Sequence, residues 1–256
     1  LKDNALKKEI QTVLAAEPKE TPFVKNEDGD KRVAKYFFSI DNQHELYQMG
    51  NSFMKDFGMG AKSFAITSTG YKTSQQRTIL ALATFFDHVK PMKIAIITNQ
   101  LLNGAFHEMV QASKDSEFRI PTLSAKTIPM KSFYHHFDFI DFQSLLNLSN
   151  LEATNFDFEH ALAELVKSYD VLFWDIPDIE TFKTNHKAYY PISMHFDSLS
   201  IIVSQSLSKA KEVENLKNFF TDYGVNVKGL LLDYSTKKEV KRKSLSPFSF
   251  LRRSVE

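Results

Sequence analysis

Ser63-Phe-Ala-Ile-Thr-Ser-Thr-Gly-Tyr-Lys-Thr-Ser-Gln-Gln-Arg-Thr78 is a short apolar run that meets a turn and then a helical pattern. The run Ser63–Ser68 reads as a strand, Thr69-Gly70 as the turn, and Ser74 to His88 as a helix with apolar residues at 79, 80, 82, 83, 85 and 86. The unit recurs. Lys93-Ile-Ala-Ile-Ile-Thr98 is a second strand, with a helix expected over Gln100 to Ser113. Phe137 to Phe142 reads as a third strand and Phe156 to Tyr169 as a helix. Val171–Asp175, Leu199–Ser204 and Val227–Asp233 are further strands, and the helix Lys209 to Tyr223 closes on Gly224, a C′ glycine. Short apolar strands alternating with helices give an α/β class, a three-layer, mostly parallel sheet with helices on both faces. Ligands of such sheets bind beyond the carboxyl ends of the strands. The candidate positions therefore follow residues 68, 98, 175, 204 and 232.

The 256 residues carry 32 basic and 31 acidic side chains, a net charge of +1, so no chain-wide field points to nucleic acid. There is no cysteine, which excludes disulfides and thiolate metal sites and is compatible with a reducing compartment. Glycine numbers only 8, about half of the usual ~7%. A loop of backbone amides that cradles phosphate normally needs glycines. Phenylalanine numbers 23, which suggests an aromatic core. No stretch approaches the ~18 consecutive apolar residues of a membrane span, and the charged first twenty residues are no signal peptide. Because the chain starts at Leu1, it is expected to be a processed or excised piece of a longer chain. The expected organisation is a polar N-terminal arm and linker over 1–32, an α/β domain over 33–234, and a basic flexible tail over 235–256. Val33 to Ile40 reads as a strand or extended arm, and Asn42 to Phe57 as a helix.

The order of strand ends over roughly 42–234 resembles the MinD/ParA-like P-loop ATPases. It looks most like the cytoplasmic domain of the bacterial tyrosine kinases, which regulate polysaccharide polymerisation and export. The resemblance implies a P-loop NTPase-like (Rossmann-like) sheet. It also implies that the chemistry has been dismantled. The family's phosphate loop, of the type V-T-S-x-G-x-G-x-G-K-S-T, here keeps Gly70. Lys72 and Ser74 replace the later glycines, Gln75 the lysine, and Gln76 the Mg²⁺-binding hydroxyl. A carboxamide neither neutralises phosphate charge nor replaces that hydroxyl. The acidic Asp-x-Asp of the family's second strand is Thr98 and Gln100, although hard Mg²⁺ prefers carboxylates. Asp170-Val-Leu-Phe-Trp-Asp175-Ile-Pro177 matches the Walker B pattern D-x-x-x-x-D-x-P, where Asp175 either holds a Mg²⁺ water or merely caps the strand end. Gly229-Leu-Leu-Leu-Asp233 puts an aspartate where the family's adenine-reading asparagine stands. A carboxylate cannot donate to the ring nitrogen. The helix that carries arginines for ring assembly in the family has Gln48 and Asn51 instead, and no tyrosine follows Tyr234 for autophosphorylation.

The resulting expectation is a catalytically inactive, pseudokinase-like domain that serves as scaffold or regulator in bacterial polysaccharide synthesis or export. No cofactor is expected. Its partner would be a membrane polysaccharide co-polymerase or an active homologue, its place the cytoplasm at the inner face of the membrane. The alternatives are a divergent ATPase or kinase that binds ATP with Mg²⁺ through Lys72 and Asp175, and a ParA/MinD-like positioning protein. The tail bears Lys237, Lys238, Lys241, Arg242, Lys243, Arg252 and Arg253. It reads as solvated, as touching anionic lipid, or as docking on an acidic partner, with Phe248, Phe250 and Leu251 as the apolar anchor. His135-His136 suggests a metal pair, but adjacent strand residues point to opposite faces, which favours a polar loop. His186 and His195 lack ligand spacing. Asp138 and Asp141 read as solvated strand-end acids rather than a working carboxylate pair.

Overall fold

The computed structural model describes residues 44–69, 72–120, 127–133, 137–150, 155–204 and 208–233. The arm 1–32, the segment Val33–Ile40, the His135-His136 pair and the tail 235–256 lie outside them. The chain divides into two units, Leu1–Ala61 with Ala81–Pro91, and Lys62–Leu80 with Met92–Glu256.

In the first unit, helix α1 (His44–Gly58) packs against the second half of helix α2 (Lys72–Val89). Gly50 makes the close approach possible, since a Cβ there would stand 2.5 Å from the Phe85 ring. Tyr47 meets Phe85 and Phe57 meets Phe86 edge to face, at centroid distances of 6.0 and 5.8 Å.

The second unit is built on one eight-stranded sheet. Its strands are β1 (Ser63–Ser68), β2 (Ile94–Thr98), β3 (Lys114–Arg119), β4 (Thr127–Phe133), β5 (Phe137–Asp141), β6 (Val171–Asp175), β7 (Ser198–Ser204) and β8 (Val227–Asp233). They lie in the order β3-β4-β5-β2-β6-β1-β7-β8. The run from β5 to β8 is parallel, and β4 and β3 add an antiparallel edge. This is the expected three-layer α/β class. The helices of this unit are α3 (His107–Ala112), α4 (Phe142–Asn150), α5 (Asn155–Ser168), α6 (Ile179–Thr184), α7 (His186–Ser193) and α8 (Ala210–Asp222).

Alternation divides the sheet's side chains between two cores. On one face Ala65, Leu172, Trp174, Leu199 and Ile201 pack with Phe182, Tyr189, Phe196, Leu216 and Phe220. Trp174 is fully buried there, and its indole N–H donates to Ser63 Oγ at 2.8 Å. The other face carries Phe64 stacked on Phe173, with Ile66, Ile94 and Ile96.

One local expectation is corrected and two sets of elements are added. Gln100 to Ser113 is not one helix. Gly104, at φ +75°, opens a single 3₁₀ turn (Gly104–Phe106), and α3 is only six residues long. Strands β3 and β4 occupy a stretch to which no element is assigned from the sequence, because their polar, exposed residues hide the alternation. Helices α6 and α7 were also not read, although Asp178 is a textual N-cap whose carboxylate accepts the Thr181 N–H at 2.9 Å. Among the described residues, no helix is long and apolar enough to cross a membrane.

Candidate functional site

Register assembles the site. Ile66 of β1 lies level with Asp175 of β6, and Ile96 of β2 with Phe173. Two residues further on, Ser68, Asp175 and Thr98 therefore share one face at the carboxyl ends of three adjacent strands. Helix α2 starts just beyond β1, and its first turn delivers Gln75 and Gln76, which are only 2% and 1% exposed. Buried carboxamides must find partners.

Gln75 finds them inside the strand ends. Its Nε2 donates to Asp175 Oδ1 at 2.6 Å, and the carbonyls of Ile176 and Ile66 lie at 2.7 and 2.9 Å. Its Oε1 accepts from Ser68 Oγ at 2.9 Å. Three acceptors around one end and a hydroxyl donor at the other fix which end is nitrogen. Thr98 Oγ1 donates to the other carboxylate oxygen, Asp175 Oδ2, at 2.5 Å and accepts the Gln100 N–H at 3.0 Å. Both oxygens of Asp175, itself 5% exposed, thus accept from neutral side chains of the protein.

Gln76 turns the other way and ties down the loop after β2. Its Oε1 accepts the Ala105 N–H at 2.6 Å, and its Nε2 lies 3.4 Å from the Asn103 carbonyl. A Cβ on Gly104 would collide with this carboxamide. Asp233 stands apart, at the end of β8, where its Oδ2 accepts from Ser74 Oγ at 2.6 Å. Arg77 is close by. Burial pushes its pKa down and the charge of Asp233 opposes that. Thr69 Oγ1 and Ser208 Oγ share a hydrogen bond at 2.5 Å, and Ser208 Oγ also accepts the Ser204 N–H at 2.9 Å.

Of the sequence candidates, Gln75, Thr98 and Asp175 come together. Gln100 contributes only its backbone N–H, and Gln76 and Asp233 go to separate partners. Lys72 heads α2, but its side chain lies outside the described residues, as do Gly70 and the basic tail positions 237 to 253. Sequence reasoning named Ser74 only as a lost glycine and missed Ser68, Arg77 and Gly104. An isolated glycine within a helical pattern was the available signal for the last. Asp138 and Asp141, three apart on β5, point to opposite faces and form no pair. Asp138 accepts from the buried Tyr169 hydroxyl at 2.8 Å; burial first, and then the charge and hydrogen bond of Asp138, push the Tyr169 pKa up.

The described donor set is a poor match for Mg²⁺ with nucleotide. Mg²⁺ requires near-ideal octahedral oxygen coordination. The site offers one carboxylate with both oxygens engaged, and threonine and glutamine where a second acidic pair would stand. Among the described residues, no three His, Cys, Asp or Glu side chains gather as a metal site.

The kinase domain of the Escherichia coli tyrosine kinase ETK matches this chain with a TM-score of 0.52 at 16% identity, over 75% of this chain and 73% of that one. The chain has the fold of a bacterial tyrosine kinase domain. The chimerical protein CapA2B2 matches with a TM-score of 0.53 at 15% identity, over 74% of this chain and 82% of that one. No family model matches the chain, and no curated protein does. At such identities the likeness establishes the fold and leaves the chemistry to the side chains.

Proposed function

We propose that this domain is a non-catalytic relative of the bacterial tyrosine kinase domains, a scaffold or regulator in bacterial polysaccharide synthesis or export that works through protein contacts. One observation carries the reading. Gln75 and Thr98 satisfy both oxygens of Asp175, so the hydrogen bonds a working site would offer to nucleotide, metal and water are made within the protein. The kinase fold supports the choice of pathway. A partner would be a membrane polysaccharide co-polymerase or an active homologue.

Calorimetric titration of the chain with ATP and with ADP, each with Mg²⁺, tests it. The expected result is no binding heat at millimolar nucleotide, in the parent and in Asp175→Ala alike. Micromolar binding that is lost in Asp175→Ala, or Mg²⁺-dependent ATP turnover abolished by it, would overturn the proposal.

A further inference from the structure

The sheet ends at β8, which pairs on one side only, with β7. Alternation puts Leu230 and Leu232 on the face where α8 buries Leu216 and Phe220 and β7 buries Ile201. Helix α8 does not finish the cover. Leu230 remains 49% and Leu232 58% exposed, whereas their β7 neighbour Ile201 is fully buried. Apolar side chains facing outward from consecutive in-facing positions of an edge strand are an unfinished core.

We infer that the apolar part of the chain's own tail, Phe248, Phe250 and Leu251, covers Leu230 and Leu232. Three observations choose this occupant. First, the chain leaves β8 at Asp233, one residue beyond Leu232, and continues to Glu256. The fifteen-residue step from Asp233 to Phe248 has a coil span of roughly 20 Å, while Leu230 lies only about 10 Å back along the strand. Second, the patch is too small to hold an untethered partner. Two half-exposed leucines fall far short of the roughly 800 Å² per side that a stable interface buries. A tether removes that requirement, because a short linker supplies an effective concentration near the millimolar range. Third, the tail is strongly basic from Lys237 to Lys243, its only other apolar residues are the scattered Val240, Leu245 and Val255, and its aromatic residues are confined to Phe248 and Phe250. An apolar pair that needs covering and an apolar cluster that needs burial lie on one chain within reach of each other.

The absence of cysteine makes the test clean, since any introduced pair is the only one present. The full chain carrying Leu232→Cys with Phe250→Cys is oxidised with oxidised glutathione and compared with Leu102→Cys with Phe250→Cys. Leu102 is also exposed but lies in the loop after β2. The expected result is an intramolecular disulfide that forms about tenfold faster in the Leu232 pair, reflecting a raised effective concentration. A second measurement uses no cysteine. Truncation after Tyr234 is expected to raise amide exchange at Leu230 to Leu232. Equal closure of the two pairs would mean that the tail sweeps the surface without docking, and would overturn the inference. Disulfide-linked dimers would assign the face to a second copy instead. Closure lost when vesicles containing anionic lipid are added would assign the tail to a membrane. Either of these also overturns it.

Discussion

The two ends of the sheet use their carboxylates differently. At the amino ends of the strands, aspartates hold backbone. Asp197 Oδ2 accepts the N–H groups of Lys62 and Ser63 at 2.6 and 2.8 Å, and Asp170 Oδ2 accepts that of Lys93 at 2.8 Å. At the carboxyl ends, side chains hold side chains, with Gln75 and Thr98 on Asp175 and Ser74 on Asp233. A phosphate site needs donors and lone pairs left open for its ligand. Here Asp175, at the end of the sheet where ligands of such folds bind, has both oxygens engaged from within. The difference lies in how the saturation is achieved. Backbone donors at the amino ends are present whatever the sequence. At the carboxyl ends donor and acceptor are both side chains, so a substitution on either side breaks the contact, whereas at the amino ends only the aspartates can be substituted away.

The largest break in that comparison comes from Gln75→Ala. It strips the donors from Asp175 Oδ1 and the Ile176 carbonyl in a buried place, while the Ile66 carbonyl keeps the Ile176 N–H. Unsatisfied buried groups cost about 1–3 kcal/mol each, less where water enters the space, so a loss of about 3 kcal/mol is expected. It would be read as a lowered urea midpoint at unchanged slope. A midpoint equal to that of the parent would mean that the network is incidental.

A second, smaller effect sharpens the view that the loop after β2 is clamped. Gly104 and Gly224 both have φ +75°, so alanine at either meets the same left-handed penalty of about 1 kcal/mol. Around Gly224 nothing lies within 4 Å, whereas a Cβ on Gly104 strikes the Gln76 carboxamide. Gly104→Ala is therefore expected to cost about 1 kcal/mol more than Gly224→Ala, within the range seen for overpacked sites. Adding Gln76→Ala should remove that excess in a double-mutant cycle. Equal costs would mean that the clamp yields freely.

How much of this could be read in advance follows from where the information lies. The strands Ser63–Ser68 and Val227–Asp233 were legible to the residue, because each is a compact apolar run, the first fully buried and the second at the sheet edge. Strand β3, Lys114-Asp-Ser-Glu-Phe-Arg119, was not. It is an edge strand with Phe118 alone buried, and Pro129 in the facing strand argues locally against a strand. The loss of lysine, hydroxyl and acidic pair at Gln75, Gln76, Thr98 and Gln100 was legible as identity. The direction of each carboxamide was not. Gln75 turns inward because the β1–β6–β2 register sets two carbonyls and a carboxylate beneath it, which is a property of pairing that no local stretch encodes.

The smallest expected effect probes the amino-terminal end by pH. His195 stands two residues before Asp197, and burial pushes its pKa below the ordinary value, partly opposed by the charge of Glu159. The folded protein therefore prefers the neutral imidazole. Above the ordinary histidine value of 6.5, neither state is protonated and His195 makes no pH-dependent contribution. As pH falls through that value the unfolded chain takes up the proton first, so the unfolded state binds more protons and stability declines. The decline ends once pH passes the depressed folded value. Urea midpoints measured between pH 7.5 and 5 should fall with acidity in the parent and fall less in His195→Gln. If His195→Gln leaves the slope unchanged, the acid sensitivity resides elsewhere.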